Sequence, residues 1–180
     1  AGNSGTLARL ILALLIKSPF KIKITGDSSL SKRDFSRVIV PLKKFGVNFY
    51  PKNKYKLPFF ISGTNFLSPI TYHEKKGSAQ CKSCMMLAAL NTDGKTIIKA
   101  KKSRDHTEIL FKHLNIPIKI KKGTNNDLIE VNGKKNFTSF NYNIPSDISS
   151  SAFFIVLTLL SKNSSLIIKN VNINPSRTGF

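Results

Sequence analysis

Tryptophan is absent from this 180-residue chain, cysteine occurs twice, histidine three times, and only nine carboxylates stand against 29 basic side chains. Two thiols, Cys81 and Cys84, cannot staple a disulfide framework. A zinc site would need two further ligands, and His73, His106 and His113 lie at no metal-site spacing from the Cys-x-x-Cys pair. No metal and no cofactor are expected, and the two cysteines are expected to pack on one face of a helix. The longest N-terminal apolar run, Leu10 to Ile16 behind Arg9, is far too short to span a bilayer, and no small-x-small cleavage site follows it. The expectation is a cytoplasmic protein without a membrane partner. The carboxylates (Asp27, Asp34, Glu74, Asp93, Asp105, Glu108, Asp127, Glu130 and Asp147) fall at positions that read as turns, caps and strand ends, so no tuned acid/base pair is expected among them.

What the chain has in excess is positive charge: the formal net charge is +20, with 41% hydrophobic residues to build a core. Such a balance calls for an anionic partner, and nucleic acid, acidic membrane and small phosphorylated ligands are the candidates. The lysines are scattered and alternate with isoleucine, as in Lys21-Ile22-Lys23-Ile24 and Lys119-Ile120-Lys121, the pattern of strands with one wet face. The basic stretches also lack the interleaved aromatics of a single-strand binding platform. A compositional bias of the source genome toward Lys, Ile and Asn is a further source of such charge.

One stretch organises the rest. Gly77-Ser78-Ala79-Gln80 passes into the nearly unbroken apolar run from Cys81 to Leu90, which predicts a buried helix with an open, polar N-terminus. Such an end attracts anions through its free N–H groups, and the Ser78 hydroxyl adds a donor. The same order occurs earlier, with Asn3-Ser4-Gly5-Thr6 leading into Leu7 to Ile16, and later, with Ser149-Ser150-Ser151 leading into Ala152 to Leu160. After the first of these come a strand (Phe20 to Thr25), a turn at Gly26, and a helix bearing Phe35, Val38, Ile39, Leu42 and Phe45. Ser31 and Asp34 are read as its capping box, Pro41 as a kink and Gly46 as its stop. Strands Val47 to Tyr50 and Leu57 to Ser62 end the copy.

The second copy is preceded by a short strand, Ile70 to Tyr72. It continues with a turn at Asn91 to Gly94, a strand from Thr96 to Ala100, and a helix capped by an Asp105–Glu108 box with Ile109, Leu110, His113 and Leu114 inward. Strands Ile116 to Ile120 and Asp127 to Val131 follow. The third copy has a strand from Ser165 to Val171 and stops near Arg177. The chain thus holds about two and a third copies of a helix–strand–helix–strand–strand unit with a period of roughly 70 residues. The first helix of each copy is apolar nearly all round and must be surrounded by protein, whereas the strands alternate. Helices inside and sheets outside are therefore expected, with Arg33, Arg104 and Arg177 carried on loops toward a common face.

At these residues the chain resembles the EPSP synthase family, the 3-phosphoshikimate 1-carboxyvinyltransferases. The motifs that carry the resemblance run the length of the chain: Gly2-Asn3-Ser4-Gly5-Thr6 with Arg9, Gly26-Asp27 with Leu30 and Arg33, Ser78-Ala79-Gln80 with Lys82 and Ser83, Ser103-Arg104-Asp105-His106-Thr107-Glu108, Ser149-Ser150 with Ala152-Phe153, and Asn174-Pro175 with Arg177-Thr178-Gly179. The resemblance implies an α/β (α+β) fold of repeated βαβαββ-type units, helices inside and sheets outside, the inside-out α/β barrel of the enolpyruvyl transferases. Residues 1–143 would belong to one lobe, as about two of its three units, and 144–180 would begin the second lobe.

The activity implied is transfer of the enolpyruvyl group of phosphoenolpyruvate to the 5-hydroxyl of shikimate 3-phosphate, with release of phosphate, by a monomer without a nucleic-acid partner. Ser78, Ala79, Gln80 and Arg104 would hold shikimate 3-phosphate. Asn3, Gly5, Thr6, Arg33 and Gln80 would face phosphoenolpyruvate, with Arg9 and Lys82 in support. The family's acid and base residues are expected outside residues 1–180, so no complete catalytic set is expected here. Two positions depart from the family pattern, Asp34 where proline is usual and Ser146 where glycine is usual. Asp34 is expected to compete for the charge of Arg33. The alternatives are the related UDP-N-acetylglucosamine enolpyruvyl transferases, which use a loop cysteine, and a non-enzymatic basic nucleic-acid-binding module.

Overall fold

The first repeat begins with α1 (Gly5–Leu14), whose N-cap Ser4 accepts the Leu7 N–H at 3.1 Å. Its apolar spacing turns Ala8, Leu12 and Ala13 inward. Then follow β1 (Lys21–Ile24), a short α2 (Ser28–Lys32), α3 (Ser36–Lys44), β2 (Asn48–Tyr50) and β3 (Phe59–Ser62). The second repeat consists of β4 (Thr71–Glu74), α4 (Ala79–Ala89), β5 (Lys95–Lys101), α5 (His106–His113), β6 (Ile118–Lys121) and β7 (Asn126–Asn132), and α6 (Ile148–Leu160) comes last. The computed structural model describes residues 1–133 and 139–179. They fall in two compact units, Ala1–Phe137 and Thr138–Phe180.

The repeat read from sequence is visible as topology. In the first copy the strands run in the order β1-β3-β2, and in the second the equivalent strands run β5-β7-β6, every one of these neighbours antiparallel. Strand β4 extends the second sheet as a parallel neighbour of β5 across α4, a βαβ crossover. Lysines at alternate positions (Lys21, Lys23, Lys95, Lys99, Lys119, Lys121) face solvent while Ile24, Ile98, Ile129 and Val131 turn into a continuous core shared with α1, α3 and α4.

Several expectations are corrected. Ser31 and Asp34 form no capping box: Ser31 sits inside α2, which Asp27 caps, and the Asp34 carboxylate accepts from the Ser36 N–H at 2.9 Å and hydroxyl at 2.5 Å. Asp105 makes no side-chain cap on α5, because Glu108 turns inward to an ion pair instead. On that helix Phe111 is buried, whereas Ile109 and His113 are exposed. The segment Ser165 to Val171 is not a strand; one isolated bridge, Ser146 with Val171, is its only pairing among the described residues. A lone segment has no neighbour to satisfy its backbone groups.

Only α4 is enclosed as the all-apolar reading requires, with eight of its residues buried, including Met85 and Met86. Helix α1 leaves Leu7 and Leu14 exposed, and on α6 Phe153, Leu159 and Leu160 are each 80% exposed. The second unit has no sheet of its own, among the described residues, with which to cover that helix.

Candidate anion site at the helix starts

The first unit gathers its polar helix starts around α4. Ser78 is the N-cap: its Oγ accepts the Cys81 N–H at 3.3 Å, which leaves the hydroxyl proton free to be donated outward. The turn before it is held by buried Glu74, whose two oxygens accept the Lys76 N–H at 3.1 Å and the Ser78 N–H at 2.9 Å. Beside this helix end lies a cavity of about 220 Å³ lined by Ala79, Gln80 and Ser83 of α4, Thr6 and Leu10 of α1, Arg104 of the β5–α5 connection, and His106 and Thr107 at the start of α5.

Gln80 joins two groups of residues. Its Nε2 donates to Thr6 Oγ1 at 2.7 Å, and its Oε1 accepts from Arg9 Nη1 at 2.9 Å. Arg9 also reaches the carbonyl oxygens of Gly5 (3.3 Å) and Asp34 (3.4 Å), and its guanidinium lies 5.0 Å from the centroid of the Phe35 ring. It therefore ties the Asn3–Thr6 loop to α4. Partial burial and the nearby Arg33 and Arg37 charges pull the Arg9 pKa below its ordinary value, although it remains a cation.

Arg33 is set from the other side. Its Nη2 donates to Asn3 Oδ1 at 2.9 Å, and Asn3 Nδ2 in turn donates to Asp27 at 2.8 Å. The Leu30 backbone N–H, with help from Asn3 and Arg33, holds the Asp27 carboxyl below the usual carboxylate range. The two guanidinium groups converge at Gly5, where a Cβ would lie 2.8 Å from Arg9 Nη1 and 3.0 Å from Arg33 Nη1. Glycine there admits two cations that a side chain would push apart. Among the described residues, neither Arg9, Arg33 nor Arg104 forms an ion pair with a carboxylate. Asp34 does not take the charge of Arg33, because its carboxylate is spent on Ser36.

Of the residues singled out from sequence, Thr6, Ala79, Gln80 and Arg104 line the cavity itself. Asn3, Gly5, Arg9 and Arg33 form the cationic cluster bonded to it through Gln80 and Thr6, and Ser78 caps the helix at its rim. Lys82 is buried behind Arg104. Arg177 lies in the second unit, where it pairs with Asp147 at 3.4 Å, the cap of α6. Sequence reasoning did not assign Ser83 and Thr107, whose hydroxyls meet at 2.6 Å in the cavity wall. The signal was present: Ser83 lies one helical turn after Ala79 and Gln80, and Thr107 three residues after Arg104.

The chemistry on offer is anion binding: a helix start, hydroxyl and amide donors, and guanidinium groups that form no ion pair with a carboxylate among the described residues. The model of the EPSP synthase (3-phosphoshikimate 1-carboxyvinyltransferase) family matches residues 1–180. The chain belongs to the EPSP synthase family. It is 45% identical over 183 residues to the 3-phosphoshikimate 1-carboxyvinyltransferase of Petrotoga mobilis, covering 100% of this chain and 41% of that protein. It is 44% identical over 180 residues to that of Caldicellulosiruptor bescii, covering 99% and 41% respectively. Among solved structures, EPSP synthase from Acinetobacter baumannii superposes with a TM-score of 0.81 at 36% identity, over 99% of this chain and 40% of that one. The chain thus spans about two fifths of the length of the curated relatives it matches, and its mixed α/β architecture is part of the enolpyruvyl transferase fold.

The two cysteines of this chain are no exposed nucleophiles. Cys81 is 1% and Cys84 0% exposed, burial pushes the Cys84 thiol well up, and its S–H donates to the Arg9 carbonyl at 3.2 Å. Among the described residues no cluster of three or more His, Cys, Asp or Glu could hold a metal ion, and no helix is long and apolar enough to cross a membrane.

Proposed function

We propose that this chain supplies the anion-holding part of an enolpyruvyl transfer site, in which phosphoenolpyruvate reacts at the 5-hydroxyl of shikimate 3-phosphate and phosphate is released. Ser78, Ala79, Gln80 and Arg104 receive shikimate 3-phosphate. Asn3, Gly5, Thr6, Arg33 and Gln80 receive phosphoenolpyruvate, and Arg9 braces the loop between them. The observation that carries the reading is the double engagement of Gln80, bonded to Thr6 on one side and Arg9 on the other while lining the same cavity as Arg104. Two anions seated on either side of one amide would be adjacent, as a transfer between them requires.

Preorganised donors contribute most when water is excluded, so the complete protein is expected to close over this surface. Proton transfer falls to residues outside 1–180, and 1–143 and 144–180 are read as parts of two lobes. A cytoplasmic monomer with no nucleic-acid partner completes the reading; the small-ligand cavity supports it over a basic nucleic-acid module. In the full-length protein carrying this chain, Arg104→Ala is expected to weaken shikimate 3-phosphate by about 2–4 kcal/mol. Titration calorimetry measures this, and unchanged affinity removes Arg104 from the site.

A further inference from the structure

Lys82 lies within α4, among mostly apolar neighbours, and is 3% exposed. Its Nζ contacts Glu108 Oε1 at 2.5 Å and donates to the backbone carbonyl of Arg104 at 2.9 Å. Glu108 is equally buried, and its Oε2 has no hydrogen-bond partner among the described residues. A buried ion pair with an unsatisfied oxygen is a poor means of stabilising a core, because desolvating both charges offsets much of their attraction and an apolar pair of similar volume does as well. What an apolar pair cannot do is donate to a carbonyl. The carbonyl held here belongs to Arg104, one of the residues that line the cavity.

We propose that Lys82, fixed by Glu108, is a positioning residue that anchors the backbone of Arg104 and thereby aims its guanidinium into the cavity. The inference rests on the reading of Arg104 as a ligand of shikimate 3-phosphate. It explains why the ammonium is directed at that carbonyl while the Arg104 side chain has no ion pair of its own among the described residues. The neighbouring Ser83–Thr107 hydroxyl pair ties α4 to α5 on the other side of the same connection, so the loop that carries Arg104 is held at two points.

The test is the double variant Lys82→Met/Glu108→Leu in the full-length protein, which removes the anchor without stranding a buried charge. Thermal stability is expected to hold or rise, while amide exchange across residues 103–107 quickens at least tenfold and the Kd for shikimate 3-phosphate rises at least tenfold. A purely structural pair leaves exchange and affinity at wild-type values, and that result overturns the proposal; so does a change in only one of the two. If the wild-type protein fails to bind shikimate 3-phosphate at all, the reading of the site falls, and exchange alone decides whether Lys82 anchors the loop. Should the double variant not fold, Glu108→Gln is read the same way, with at least threefold changes expected and wild-type exchange and affinity counting against the anchor.

Discussion

Glu74→Gln tests the idea that a buried carboxylate shapes the helix start on which the site depends. The glutamate is 2% exposed and offers one oxygen to the Ser78 N–H at 2.9 Å and the other to the Lys76 N–H at 3.1 Å, with Arg37 Nη2 at 3.4 Å. A glutamine of the same shape has one oxygen and one NH2, so one of the two backbone N–H groups loses its acceptor and faces a donor. Leaving a buried donor unsatisfied costs about 1–3 kcal/mol. Because the Arg37 side chain is 41% exposed, its ion pair is screened and adds no more than about 1 kcal/mol. The expected loss is therefore about 1–4 kcal/mol, concentrated in the turn before α4. Two measurements check it: the urea midpoint of the full-length protein, and amide exchange at Lys76 and Ser78. A midpoint shift worth less than about 0.5 kcal/mol with unchanged exchange at both amides refutes the assignment of Glu74 as the organiser of this turn.

Gly5→Ala forces the Arg9 and Arg33 guanidinium ends apart, so phosphoenolpyruvate affinity is expected to fall about tenfold or more while shikimate 3-phosphate affinity changes less; separate titrations of the two ligands distinguish the effects. Asp27, whose folded pKa is depressed by the Leu30 N–H, contributes stability that is complete above the unfolded value of about 3.9 and is lost as pH falls through the lower folded value. An NMR titration should place its midpoint below about 3.9, and Asn3→Ala should raise it; a midpoint at or above that value contradicts the cap. Cys84, fully buried with its thiol pushed up, should resist alkylation at neutral pH until the protein is unfolded. Rapid labelling of the native protein at Cys84 would mean that α4 is not enclosed.

How much of this was legible beforehand is clearest in the two copies of the unit. Local pattern suffices where a residue's environment repeats along its own element: alternating Lys and Ile give strands with one wet face, and a serine before an apolar run gives a capped, buried helix. That is why the unit and the capped α4 start were readable from the chain, whereas Ala79 and Gln80, which line the cavity, were singled out only through the resemblance to the EPSP synthase family. The capping boxes at Ser31–Asp34 and Asp105–Glu108 were misread because those carboxylates are claimed by other partners. Asp34 turns forward to Ser36, and Glu108 answers Lys82, 26 residues earlier, across the α4–α5 interface.

The amino-acid order by itself determined the repeat, the small-residue helix starts and the excess of cations, because these depend on neighbours one to four positions away. Tertiary folding decided the rest: that Gln80 bridges Thr6 and Arg9, that two guanidinium groups meet at Gly5, and that a lysine inside an apolar helix holds the carbonyl of Arg104. Those pairings join residues from 22 to 74 positions apart. A hydrogen-bond partner at such a distance is chosen by the packing of one repeat against the next, which no local periodicity encodes.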